Sequence, residues 1–119
     1  MSSNAFAIQG NTVALAVTST AHSAVQIDAP TNGPGNINFV VCNIGTSLGY
    51  ISYAPPGPGN SAPSPTLAAV IPTDGTPANG YPVLAGSKET ITAPPGSYWS
   101  AICASGLTTT ITVTPGEGV

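Results

Sequence analysis

Charge is what this sequence most lacks. Of its 119 residues, 4% are Asp, Glu, Lys or Arg, where about 25% is ordinary for a globular chain. The whole inventory is Asp28, Asp74, Lys88, Glu89 and Glu117, with His22 as the single histidine. One lysine and no arginine provide no cationic cluster, which argues against nucleic acid as a partner, since phosphate binding depends on clustered cations. Low charge also marks membrane and disordered proteins. No apolar run approaches the roughly 18 to 20 residues of a bilayer-spanning helix, so no membrane segment is expected. Disorder is not expected either, because 41% of the chain is hydrophobic and that fraction is patterned. The opening MSSNAFAIQGN (1–11) has no basic stretch and no continuous apolar core, so no secretory leader is expected.

Reactive side chains are equally scarce. The two cysteines, Cys42 and Cys103, lie far apart in strand-like runs and read as reduced, buried small hydrophobes, a disulfide being open only where their two strands are neighbours with suitable geometry. Trp99 precedes the second cysteine by four residues, which does not fit the immunoglobulin Cys–Trp–Cys order. His22, Asp28 and one of many serines make a triad only on paper, since no nucleophile-elbow pattern accompanies them. Asp74 precedes Gly75 and suits a turn. Lys88 and Glu89 are neighbours on one strand and so point to opposite faces. One histidine and two separated cysteines match no common zinc spacing, and the Gly-Pro turns are not phosphate cradles. The expectation is a protein without catalytic residues, metal or cofactor.

What the sequence does have is alternation and punctuation. Period-two runs occur at 12–18, 22–28, 36–43, 47–53, 67–71, 81–85, 87–93, 97–103 and 107–114. Thirteen prolines and fourteen glycines separate them and would interrupt any long helix. The pattern predicts an all-β chain, a single β-sandwich over residues 1–119 of about eight short antiparallel strands, with jelly-roll or immunoglobulin-like topology left open. Two segments stand outside it. A stretch at 1–11 holds Phe6 and Ile8 ahead of the first clear strand and reads as an arm or a short edge strand. The run APPGPGNSAPSPT (54–66) carries Pro55, Pro56, Pro58, Pro63 and Pro65 and reads as a loop. These apolar and proline residues are the candidate partner contacts. Tyr50, Tyr53, Tyr81, Tyr98 and Trp99 form an alternative candidate, a stacking platform for carbohydrate on a tail or fibre domain.

The last run, GLTTTITVTPGEGV (106–119), alternates Leu107, Ile111 and Val113 with Thr108, Thr110, Thr112 and Thr114. Soluble sheets ordinarily guard exposed surface with charge, lysine above all. Hydroxyl and small apolar groups instead suit close contacts with little charge to desolvate, so the composition points to a subunit of an assembly. The opening AFAIQGNTVALAVTSTAHSAVQI (5–27) and the closing VLAGSKETITAPPGSYWSAICASGLTTTITVTPGEG (83–118) resemble the small β-sandwich head decoration, or cement, proteins of tailed bacteriophages. The resemblance implies a non-enzymatic virion protein made in the host cytoplasm and carried on the capsid exterior. Its partner would be the major capsid protein at subunit junctions, and its own state a homo-dimer or homo-trimer.

Overall fold

A computed structural model describes residues 7–8, 10–27, 36–57 and 67–117 of the chain. Within them the backbone is all β. The strands are β1 (Ala7–Ile8), β2 (Val13–Val17), β3 (Val25–Gln26), β4 (Ile37–Asn43), β5 (Gly49–Ala54), β6 (Tyr81–Val83), β7 (Lys88–Ala93), β8 (Tyr98–Cys103) and β9 (Thr109–Glu117). The 67–71 run, expected as a strand, is not one. It lies as extended chain whose backbone bonds side chains and a loop.

Two antiparallel sheets form the sandwich. The larger runs β1/β2–β9–β4–β7, the smaller β3–β8–β5–β6. β1 and β2 lie end to end along one edge of β9, so nine segments fill eight strand positions. The pairs β2·β9, β3·β8, β4·β7 and β5·β6 amount to one long antiparallel hairpin, and β4·β9 and β5·β8 close it when it wraps. That wrapped hairpin is the strand order of a jelly roll, which decides the topology left open by alternation.

Alternation then sorts each strand between core and surface. Leu15, Val17, Phe39, Val41, Ile111 and Val113 from the larger sheet meet Ile51, Val83, Trp99, Ala101 and Cys103 from the smaller, all essentially inaccessible. Trp99 anchors the centre, its ring 4.9 Å from Phe39 and 5.1 Å from Tyr53, and such tilted pairs add about 0.5–1.5 kcal/mol each beyond area burial. Leu107 departs from the expected alternation. It is exposed in the turn before β9, closed by a Leu107 N–H to Ala104 carbonyl bond of 3.0 Å, with Gly106 at φ 81° supplying the left-handed residue. Thr109 takes the inward position instead. Its hydroxyl is buried and donates to Asn43 Oδ1 at 2.6 Å, which makes a threonine acceptable in the core.

Pro115 sits buried within β9, next to β4, where a proline is normally excluded. Ile44 N–H bonds the Thr110 carbonyl, so even-numbered residues of β9 turn their backbone groups to β4 and odd ones turn theirs to β1 and β2. The missing N–H of Pro115 therefore points where β1 and β2 are interrupted. There the pairing stops at Ile8–Gly116 and resumes at Val13–Val113, so the ladder is already broken opposite 114–115.

Candidate functional site

The two outer faces of the sandwich differ. That of the smaller sheet is covered by its own chain. Ser100 Oγ donates to the His22 carbonyl (2.7 Å) and accepts from the Ala69 N–H (3.0 Å), Gly80 N–H donates to the Val70 carbonyl (2.9 Å), and Asn79 clasps residues 68 and 70 through both ends of its amide. Gly80 is required at that closure, because a Cβ would stand 2.5 Å from the Val70 carbonyl oxygen.

The outer face of the larger sheet has no such cover among the described residues. Register aligns Ala14, Thr112, Cys42 and Lys88 in one row, and Thr114, Val40 and Thr90 in the next. Thr12 extends the second row by a hydroxyl–hydroxyl hydrogen bond to Thr114 (2.7 Å), and Thr92 Oγ1 donates to Asn38 Oδ1 (2.9 Å) in a third. Ala16 and Thr110 complete the face. Lys88 is the only charged side chain in these rows. The threonines of 12–18 and 89–92 are thus on the same face as those of the last strand, brought there by β2 and β7. Glu89 turns the other way, half-buried at the rim of the core beside Val41, an inward charge that discourages further pairing along edge strand β7.

Of the expected partner contacts, Ile8 is 69% exposed on β1, paired with Gly116 as an edge strand of its own domain. Pro55 is exposed and Pro56 half-buried just after β5. Phe6, Pro58, Pro63 and Pro65 lie outside the described residues, as does Asp28.

The five platform aromatics are divided by the sheet. Tyr50 and Tyr98 lie on the outer side of the smaller sheet, both half-buried. Trp99 is fully buried and cannot offer a stacking surface. Tyr53 and Tyr81, 40% and 50% exposed, stand at the open side of the sandwich and line one cavity of about 370 Å³ with Ile51, Ser52, Asn79, Thr90, Ile91 and Trp99. Sequence reading missed Ile51, Ser52, Asn79, Thr90 and Ile91, whose only signal was membership of strands or turns. Two buried polar atoms among these residues have no hydrogen-bond partner, the Trp99 indole N–H and the Ser52 hydroxyl.

His22 is half-buried outside β3, its Nδ1 within 2.8 Å of the Ser23 carbonyl, with no carboxylate partner among the described residues. No group of three potential metal ligands occurs among them. Both cysteines are free, Cys42 on the outer face of one sheet and Cys103 in the core side of the other. Burial pushes the Cys103 thiol up from its ordinary value. The same thiol donates to the Leu107 carbonyl at 3.0 Å. A neutral-pH thiol reagent is therefore expected to label one cysteine per folded chain, Cys42, and both cysteines in denaturant. Peptide mapping checks the position. The sign for stability follows from the raised value: the neutral thiol is favoured by folding, so its contribution is intact below the ordinary thiol range and lost as pH rises through the folded value. Compared with family models, curated proteins and solved structures, the chain matches none.

Proposed function

We propose that this protein is a non-catalytic structural subunit that docks onto a protein lattice through the outer face of its larger sheet. In line with the resemblance of its first and last segments, we take that lattice to be the exterior of a phage head, with the major capsid protein as partner. The carrying observation is the bare, nearly uncharged face of Thr12, Ala14, Ala16, Val40, Cys42, Thr90, Thr110, Thr112 and Thr114, opposite a sheet that its own chain covers. The jelly roll itself does not choose among functions, since the same architecture serves capsids, lectins and enzymes.

Size says how such a face must work. Four strands at about 4.8 Å spacing and three rows of side chains span roughly 15 by 20 Å, on the order of 300 Å². A standard specific interface buries about 800 Å² per partner. One face alone would bind weakly, so the reading requires further contacts, as from a homo-dimer or homo-trimer bridging neighbouring subunits, which makes the second contact intramolecular.

Mass spectrometry across a density gradient of a lysate that makes the protein tests this. The expected result is co-banding with DNA-filled heads at a copy number comparable to the major capsid protein. With so few charges at the contact, retention should persist at about 1 M NaCl, where the screening length falls to about 3 Å. Release by moderate salt would refute uncharged docking, and protein left at the top of the gradient would refute the virion assignment.

A further inference from the structure

The geometry points to a binding site for a neutral saccharide in the cavity between edge strands β6 and β7, walled by Tyr53 and Tyr81. This does not rest on the docking face, on the outer side of the larger sheet, with which the cavity shares Thr90 alone, at the edge of β7. Tyr53 and Tyr81 are far apart in sequence and come together because β5 pairs with β6, Ile51 opposite Tyr81, which sets both rings on the core side of the smaller sheet. Among the described residues nothing closes the sandwich there, and both tyrosines stay about half exposed. The volume, about 370 Å³, is that of a small-molecule site.

The lining chemistry selects the ligand. None of the eight described residues lining it is charged, so among them a phosphate, carboxylate or ammonium group would find no counter-ion. A purely apolar ligand would leave the outward backbone groups of β7 without partners, and the Trp99 N–H behind the cavity wall too, which is closed to solvent and is reached only as its neighbours yield. That donor is buried, belongs to a lining residue and has no partner, which is uncommon for an indole in a core. The Ser52 hydroxyl is unpartnered too, but strand alternation places it on the opposite sheet face from Trp99, so only the indole N–H counts here.

Acceptors and further donors come from the edge of β7. The Asn43 N–H to Ser87 carbonyl bond (3.0 Å) shows odd-numbered positions facing β4, so Lys88, Thr90 and Thr92 turn their backbone N–H and C=O outward. Thr90 lines the cavity. A ligand that is apolar on its ring faces and carries hydroxyls able both to donate and to accept meets all of these at once. A saccharide has that combination.

An extended peptide adding to β7 is the competing occupant, and the edge is too short for it. The Tyr53 hydroxyl reaches across to the Thr92 carbonyl at 3.5 Å and closes that end. Among the described residues that leaves Lys88 and Thr90, fewer positions than a peptide strand needs for a ladder. A compact ring fits where a strand does not. A second cavity, about 390 Å³ around Thr18, Thr46 and Thr108, has no unpartnered buried donor and no aromatic wall among its described lining residues.

Trp99 is the single tryptophan, so its fluorescence reports on the cavity without a label. Maltose, lactose, N,N′-diacetylchitobiose and mannobiose serve as probes, with 3′-sialyllactose and a proline-rich peptide as controls. At least one neutral disaccharide is expected to shift the emission saturably, and Tyr81→Ala to weaken its binding at least tenfold at unchanged melting temperature. Tyr81 is half exposed on an edge strand, so its loss spares the core. Trp99→Phe, followed by calorimetry, removes the N–H and keeps a ring; it is expected to weaken binding several-fold. Tyr98→Ala, off the cavity, should change nothing. No saturable shift with any of the four, equal affinity in Tyr81→Ala, or binding of the sialylated sugar or the peptide in preference would each overturn the assignment.

Discussion

Replacing Asn43 with alanine is expected to destabilise the fold by about 3–5 kcal/mol, a drop on the order of 15 °C in melting temperature for a domain of this size. Asn43 ends β4 with 1% of its surface exposed. Its Nδ2 donates to the Ser47 carbonyl (2.9 Å) and the Val83 carbonyl (2.8 Å), while its Oδ1 accepts from the Gly45 N–H (3.1 Å) and the Thr109 hydroxyl (2.6 Å). One amide thus joins the turn after β4 to β6 in the other sheet and to the start of β9. All its donors and acceptors are used, so removing it orphans groups on three elements, and each buried orphan costs about 1–3 kcal/mol. Asn43→Asp separates geometry from charge. A carboxylate there would face the Ser47 and Val83 carbonyl oxygens where an N–H₂ now donates, which raises its pKa. Asn43→Asp should therefore be most stable at acid pH, where the carboxyl is neutral, and lose stability as pH rises. Asn43→Ala should show no such dependence. Chemical denaturation of both across pH checks this, and a loss below about 1 kcal/mol in the alanine variant would mean that the turn relaxes or water replaces the amide.

Asn43 also shows where sequence reading ends. Alternation found most strands, because a half-buried strand must repeat with period two whatever it packs against. It could not find Asn43, since a buried polar residue is acceptable only when partners forty and sixty-six positions away arrive with the right geometry. The same limit explains Leu107, expected inward but exposed, and Thr109, to which alternation of apolar residues assigned no place and which is buried. Hydropathy assigns leucine to the core, but the turn at Gly106 starts the strand later, and the Asn43 bond makes threonine a workable inward residue. Pro115 misleads in the opposite direction. A proline ends a strand by default, yet β9 continues through it because its missing donor meets a gap in the neighbouring ladder.

The face proposed for docking was visible only in fragments. Thr110, Thr112 and Thr114 are apparent as a row, while the threonines near residues 12–18 and 89–92 read as faint echoes until register joins them. Which strands are neighbours is a property of the wrapped hairpin, and period-two patterning is the same for every strand order. The cavity is further still from the sequence. Tyr53 and Tyr81 become a pair through the β5·β6 register, whereas Trp99, the most obvious aromatic, is absorbed by the core and offers no stacking surface.

Placing two carboxylates on the outer face, Thr112→Glu with Thr114→Glu, is expected to weaken particle binding at least a hundredfold while leaving the fold nearly intact. Both side chains point outward and are half-buried, and substitutions at such surface positions usually change stability by about 0.5 kcal/mol. Loss of the Thr12–Thr114 hydroxyl pair adds little, because both residues lie where water can replace it. Binding is another matter. The one cation on the face, Lys88, lies two strands from Thr112 across β4 and cannot pair both new charges, so docking would desolvate carboxylate without adequate compensation, and a hundredfold corresponds to only about 2.8 kcal/mol of that penalty. The matched control is Thr73→Glu with Ser105→Glu, two exposed positions outside the face. It makes the same change in net charge and should bind as the parent does, which separates local desolvation from long-range repulsion. Cys42 provides an independent readout because it sits at the centre of the face, beside Thr112. Its thiol should label readily in the free protein and be protected on particles. Protection that persists in the parent and control but vanishes from the particle fraction of the Thr112/Thr114 variant would locate the contact on these rows. Full binding by that variant, with Cys42 still reactive on particles, would move the contact elsewhere, and the exposed Ile44 and Leu84 beyond the ends of β4 and β6 would be the next positions to charge.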